Sequence, residues 1–376
     1  MSNPALPAFS WIAVGLLGLI TGSFLNAVIH RLPLGISLLN PKRSFCPSCH
    51  KTIPWHENLP VASWVLLRGR CSGCAMPIVL RYPLVELLTA GLYLLTWGRF
   101  GLPLAPVFWI FLSLLVAATF IDFDHLIIPD EITLGGTAAG LFCATLFPSL
   151  QGEDLWWRGL VRALIGALCG YLLLWGVVEL GKLAFGRTKI RPEQPMALEI
   201  AGSEEDPELL LGEEHMPLAE FFYRESDRIE AVAASLEING ELLGPGLLMI
   251  SHSVLRHGER EWNLRRLGDL MPVRASVSEV TLPREAMGLG DVKFLACIGA
   301  FLGWKGVFFT LFGGSVLGAV IGVATMVITR GRSGGRIPFG PYLALGALLW
   351  VLAGPEMLAF YLSHLRGEGG FLLLHG

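Results

Sequence analysis

Residues 102–125 read LPLAPVFWIFLSLLVAATFIDFDH. About twenty residues, nearly all apolar and none charged, match the length of a membrane helix and run into two aspartates, Asp122 and Asp124. A carboxylate at the edge of a bilayer is costly and is a functional hypothesis by default. The stretch therefore predicts a membrane protein whose chemistry lies at the end of a helix.

Composition extends that reading to the whole chain. Of 376 residues, 53% are hydrophobic and 16% charged, where soluble proteins average about 25% charged; the mean hydropathy is +0.58. The 45 glycines suit close helix packing in a bilayer. The net charge of -3 says little about partners, and the absence of a basic tract argues against nucleic acid. Eight segments have the character of membrane helices: about 9–29, 83–98, 102–121, 132–148, 158–181, 289–303, 306–329 and 339–363. The second and sixth are the shortest. The first has no Lys or Arg before it and no A-x-A site after it, so it reads as a membrane helix and not as a secretory signal.

Lys and Arg set the orientation. The segment 32–82 and the stretch near 330–338, with Arg330, Arg332 and Arg336, are rich in basic residues and should face the cytosol. Eight helices with both termini outside satisfy this bias. A further polar region, 182–286, should also be cytosolic. Its start reads as a flexible linker, polar from Arg187 to Pro195 and acidic over 203–208. Phe221 to Leu236 reads as an amphipathic helix. Asn239-Gly240 reads as a hairpin turn between 236–238 and 241–243, and Ala275 to Thr281 as a strand. The expected fold is an all-α polytopic membrane protein of about eight helices with a small cytosolic α+β insert.

The first cytosolic loop carries Cys46-Pro47-Ser48-Cys49 and Cys71-Ser72-Gly73-Cys74. Two CxxC knuckles suit a tetrahedral zinc ion, at a separation just past the usual range of about 15–20 residues. His50 and His56 are rival ligands, but four thiolates already close the site. Such a site is structural, because it leaves no position for a substrate. Disulfides are disfavoured in a reducing cytosol. Cys143, Cys169 and Cys297 fall in apolar segments and read as small buried hydrophobes.

A second acidic cluster, Gly288-Leu289-Gly290-Asp291, opens the sixth segment at the same cytosolic edge as Asp122. Two carboxylates that meet can share one proton, so that one activates water while the other polarises a scissile carbonyl. Gly288 and Gly290 would let backbone approach a substrate strand. The residues alone leave Asp124 open as the alternative to Asp122. Asp130, after Pro129, reads as the N-cap of the fourth segment. Glu86, just inside the second segment, also needs a reason to be there; one plain reason would be an ion pair with Arg81 or Arg31.

Taken together, these motifs resemble one known family. Gly22-Ser23-Phe24-Leu25-Asn26 with His30-Arg31-Leu32-Pro33, the four cysteines, Arg81-Tyr82-Pro83-Leu84-Val85-Glu86, Ile121-Asp122 with Pro129-Asp130, Glu285 to Lys293, and Ile337-Pro338-Phe339-Gly340-Pro341 occur in this order. The chain is similar to the bifunctional type IV prepilin peptidases, which are GxGD intramembrane aspartyl proteases. The resemblance implies catalytic aspartates at Asp122 and Asp291, in the inner membrane of a bacterium. It implies cleavage of a basic leader after a glycine at the cytosolic face, on a prepilin or pseudopilin of the type IV pilus or type II secretion machinery. It further implies N-methylation of the new terminus from S-adenosylmethionine, linked to the N-terminal part with its zinc loop. Glu86, Asn26 and Arg31 are the candidates for that cofactor.

The implied organisation is 1–100 with the zinc loop 32–82, a membrane peptidase domain in two parts, 101–181 and 287–376, and the insert 182–286 between them. The insert departs from the family pattern, in which the aspartates are much closer in sequence; it could gate the site, bind an assembly protein, or be passive. Three other readings compete, one of them a zinc-clasped scaffold of pilus assembly without activity, against which the intact pair of aspartates argues. A GxGD protease of broader membrane substrates leaves the four cysteines unexplained. An ion-coupled transporter would place its carboxylates near the midplane between repeats, and no repeat is evident.

Overall fold

The computed structural model describes residues 7–40, 44–46, 48–185, 187–192, 194–202, 207–212, 214–222, 227–251, 253–263, 273–283, 288–328 and 338–365. The residues Arg330, Arg332, Arg336, Ile337, Pro47 and 285–287 named above lie outside them, as do 203–206 of the acidic run and 223–226 of the expected helix. The chain divides into two compact units, Met1–Trp175 with Gly288–Gly376, and Gly176–Met287.

The first unit is helical. Its elements are α1 (Ala8–Arg31), the short α2 (Ala62–Leu66), α3 (Arg81–Phe100), α4 (Leu104–His125), α5 (Asp130–Leu146), most of α6 (Trp156–Phe185), α7 (Leu289–Ile328) and α8 (Gly340–Leu365). Five of these, α1, α4, α6, α7 and α8, are long and apolar enough to cross a membrane. All eight segments expected from hydropathy are helical. Two of them are joined in α7, α5 has only 17 residues, and α3 carries Arg81, Glu86 and Arg99, so the helices do not by themselves count eight spans.

Glycine sets how closely these helices approach. α1 and α3 run antiparallel, and a Cβ at Gly18 would lie 2.5 Å from Ala90 Cα, one at Gly22 2.6 Å from Glu86 Cα. α6 and α7 meet the same way, with a Cβ at Gly166 only 2.2 Å from the Gly299 carbonyl oxygen. Backbone contact of this kind replaces the hydrophobic drive that a bilayer cannot supply.

At 40 residues α7 would be about 60 Å long if straight, twice the hydrocarbon thickness. It breaks at Gly303 (φ 69, ψ 176). The chain reverses there, since a Cβ at Gly299 would lie 2.9 Å from Val307 Cγ2. The carbonyls freed by the break are satisfied by Gln151, whose Nε2 donates to Ala300 O at 3.0 Å and Phe301 O at 3.1 Å. The second arm then runs antiparallel to α8, with Gly306 against Trp350 and Gly314 against Tyr342.

The second unit is a β structure, and the α+β expectation is corrected. Its strands are β1 (Arg187–Ile190), β2 (Met196–Gly202), β3 (Pro207–Leu211), β4 (Glu214–Pro217), β5 (Ile229–Ile238), β6 (Glu241–Leu243), β7 (Gly246–Ile250), β8 (Val254–His257), β9 (Arg260–Asn263) and β10 (Val273–Pro283). They form one sheet of order β4-β3-β2-β10-β5-β7-β8-β9, with β1 added to β10 and β6 to β5. The helix expected over Phe221 to Leu236 is a short 3-10 turn, Leu218–Phe221, followed by β5. Ile229, Ala231 and Ala233 alternate inward on β5, and pairing with the long β10 overrides the helical propensity of Ala and Glu. The Asn239-Gly240 turn is present, with φ 50 and 79 closing the Ile238–Glu241 pair, as a two-residue type I′ loop requires. The expected strand at Ala275 to Thr281 lies within β10.

Candidate active site

Asp122 occupies the last turn of α4, which ends at Leu126 in a left-handed cap (φ 56) that donates the turn's final hydrogen bond, from Leu126 N to Asp122 O at 3.0 Å. The carboxyl is 5% exposed, although the chain turns toward solvent two residues later. Its Oδ2 accepts a hydrogen bond from Gly340 N at 2.9 Å. Gly340 opens α8, where the first amides have no helical acceptor and favour an anion.

Asp291 lies in the first turn of α7. Its Oδ1 is buried without a hydrogen-bond partner, and the Asp122 carboxyl is near enough for its charge to be felt at Asp291. Ile128, in the loop from α4 to α5, joins the two sides. A Cβ at Gly290 would touch Ile128 N at 3.4 Å, and one at Gly340 would lie 2.9 Å from Ile128 Cδ1. A Cβ at Gly290 would therefore meet Ile128 at ordinary van der Waals distance, and one at Gly288 only Gly290 N at 3.9 Å.

Each aspartate is followed, two residues on, by an ion-paired residue. Asp124 pairs with Arg81 at the start of α3, and Lys293 Nζ lies 2.7 Å from Asp130 Oδ1. Asp124 is thus exposed and neutralised while Asp122 is buried. The N-cap reading of Asp130 is corrected: Pro129 precedes the helix, no side chain caps it, and Asp130 is the partner of Lys293.

Of the sequence-predicted cofactor residues, Glu86 and Asn26 lie along the α1–α3 crossing, and Arg31 sits apart at the end of α1. Glu86 is 7% exposed, and its Oε2 accepts from Val61 N at 2.7 Å. No cation pairs with it among the described residues; Arg81 is taken by Asp124. Asn26 Nδ2 donates to Tyr82 O at 3.0 Å, and its Oδ1 is buried with no partner. Arg31 is buried and directs Nη1 to the carbonyls of Ser37 and Leu38, each at 3.4 Å. A buried carboxylate without a cation, beside an unpaired acceptor, fits a sulfonium group such as that of S-adenosylmethionine.

The four cysteines converge. Their sulfurs lie within 4.8 Å of one another, with Cys46–Cys74 at 3.8 Å and Cys49–Cys71 at 4.0 Å. Zn–S bonds of about 2.3 Å in a tetrahedron put sulfurs about 3.8 Å apart, so the set fits zinc. The two knuckles are built alike. Cys46 N donates to Lys51 O and His50 N to Cys46 O; in the second knuckle Cys71 N donates to Met76 O and Ala75 N to Cys71 O. His50 (φ 54) and Ala75 (φ 59) occupy the same left-handed position, so His50 here is a turn residue of its knuckle. The backbone amides of Cys49 and Ser48 pull the Cys46 thiol down to about 6, toward the thiolate a metal requires. Lys51 crosses between knuckles, donating to Glu57 at 3.1 Å and Ser72 at 2.7 Å.

Residues 16–100 match the Bacterial Peptidase A24 N-terminal domain, and residues 109–190 and 244–323 match the Type IV leader peptidase family. A prepilin leader peptidase/N-methyltransferase of Aeromonas hydrophila is 30% identical over 389 residues, covering 96% of this chain and 96% of that protein. The chain belongs to the type IV leader peptidase family. Further family relatives with that name come from Myxococcus xanthus (strain DK1622), 44% identical over 45% of this chain and 50% of theirs, and Klebsiella pneumoniae, 40% identical over 45% and 74%. No solved structure matches the chain. The family match is interrupted between 190 and 244, inside the β unit.

Several residues of this candidate site have no role assigned from the sequence. Gly340 stood in a motif, Pro338-Phe339-Gly340-Pro341, whose only local signal is a glycine held between prolines at a helix start. Ile128, Val61 and the Asp130–Lys293 pair carry no local signal, because each acts through a neighbour distant in sequence.

Proposed function

We propose that this protein is a membrane aspartyl endopeptidase that removes the leader of type IV prepilins or pseudopilins and N-methylates the new terminus. The observation that carries the proposal is the buried Asp122 carboxyl, held by Gly340 N and electrostatically coupled to Asp291. One carboxylate takes a proton from water, whose oxygen attacks the scissile carbonyl carbon, and the other, protonated, donates a hydrogen bond to the carbonyl oxygen. The C–N bond then breaks, and the leaving amine takes up the proton. Ion pairing of Asp124 with Arg81 favours Asp122 as the first member of the pair.

For methyl transfer, Glu86 and Asn26 would hold S-adenosylmethionine at the α1–α3 crossing, with Arg31 bracing the adjoining loop. The bound cofactor supplies an electrophilic methyl group. Glu86 offsets its positive charge or accepts a hydrogen bond from the substrate amine. Zinc in the four-thiolate site fixes the loop beside this crossing. In this reading α3, α5 and both arms of α7 cross the inner membrane with α1, α4, α6 and α8, giving eight spans, periplasmic termini and a cytosol-facing site. The organisation is 1–100, 101–181, 182–286 and 287–376, as the motifs imply.

Mass spectrometry of a co-expressed prepilin tests the proposal, because it reads cleavage and N-methylation together. Asp122→Asn and Asp291→Asn should each abolish cleavage without loss of membrane insertion. Glu86→Gln should leave a cut but unmethylated product. Cleavage retained in either aspartate variant would remove that residue from the pair.

A further inference from the structure

The loop between α1 and α3 holds its zinc knuckles off a base that is apolar on the outside. Val65 (61% exposed) and Leu66 (78%) on α2, with Val79 (64%) and Leu80 (61%) just before α3, are among the most exposed large hydrophobics of the unit. These two patches are tied together. Trp64 Nε1 donates to Ile78 O at 3.1 Å, and Ile78 N donates to Gly69 O at 2.7 Å. Leu80 is also continuous with an outward stripe on α3 itself, Leu84, Leu87 and Leu88, spaced as one helix face.

The depth of α2 follows from one hydrogen bond. Val61, its N-cap residue, donates to Glu86, five residues inside α3 and so about 7.5 Å along its axis. The same Glu86 lies against Gly22 of α1, more than two turns before that helix ends at Arg31. The start of α2 is therefore held at the level of Glu86, inside the first turns of α3. Arg68 and Arg70 follow it immediately, both exposed and without an ion-pair partner among the described residues.

We infer that α2 and the Val79–Leu80 segment form an interfacial foot that beds the zinc loop in the cytosolic leaflet, with Arg68 and Arg70 meeting anionic lipid phosphates. The depth fits the roughly 5–10 Å to which amphipathic helices bury their apolar face in the headgroup boundary. Two cations beside it match the negative surface of that leaflet. The inference rests on α1 and α3 standing in the membrane and is independent of either catalytic activity.

The test replaces Leu66 by p-benzoylphenylalanine in the full chain. The chain is set in nanodiscs of phosphatidylcholine with phosphatidylglycerol and irradiated with and without prepilin. Lipid adducts at position 66 should match those at Leu84 and exceed by about tenfold those at Leu242, an exposed leucine of the β unit. They should fall when Arg68→Gln and Arg70→Gln are combined or phosphatidylglycerol is omitted. Position 79 carries the same comparison if 66 does not tolerate the change. Adducts to prepilin in place of lipid, or lipid adducts no stronger than at Leu242, would overturn the inference.

Discussion

Gly340 N lies 2.9 Å from Asp122 Oδ2, and a Cβ on Gly340 would lie 2.6 Å from that same oxygen. The start of α8 is therefore both the hydrogen-bond donor to the buried carboxyl and the wall beside it. No side chain fits between them, and Ile128 Cδ1 closes the other direction at 2.9 Å. Gly340→Ala should push Asp122 out of line while leaving the helices inserted. A displacement near 1 Å costs about a hundredfold in rate. Cleavage kinetics in detergent or nanodiscs would show it, and near-normal turnover would mean the contact does not set the geometry.

Lys293 and Asp130 hold the start of α7 to the start of α5, on either side of the carboxyl pair. Both are partly exposed, with side-chain exposures of 30% and 57%, so the pair contributes at most about 1 kcal/mol. Lys293→Met should therefore slow cleavage by about twofold to fivefold, while Lys293→Arg keeps most of the rate. Loss as complete as in Asp291→Asn would place Lys293 in the chemistry itself.

Metal removal should act on the loop first. Cys71→Ser or a strong chelator should lower the melting temperature, because binding energy at a four-thiolate site is folding energy. Methyl transfer should fall further than leader cleavage, since Val61 of the loop bonds Glu86 whereas Asp122 takes its bond from α8. Metal content measured beside both activities checks this, and equal loss of the two would contradict the division.

Acid should loosen the β unit through Glu279. Hydrogen bonds from Arg191 and then Lys189 hold its carboxyl below the usual glutamate range. A depressed pKa in the folded state means the stabilisation is complete above about 4.3, the ordinary value, and is lost as pH falls through the lower folded value. Hydrogen exchange over residues 273–283, corrected for intrinsic rates, should rise in that window. Glu279→Gln should exchange faster at neutral pH and lose the dependence.

The sequence by itself determined the solvent, the helical segments and the residues that could carry chemistry. Apolar length is a local property, and a carboxylate at 122 or 291 or a CxxC pair is visible without knowing what faces it. The Asn239-Gly240 turn was legible for the same reason, as two residues suffice to specify it. Only the tertiary structure decided the rest. It separated Asp122 from Asp124 by burying one and pairing the other with Arg81, and it made Asp130 a partner of Lys293 and not a cap. It also made Ile229 to Leu236 a strand, because β10 lies beside it. Each outcome depends on what a residue meets across tens or hundreds of positions, where burial, pairing and register outweigh local propensity by more than propensity spans.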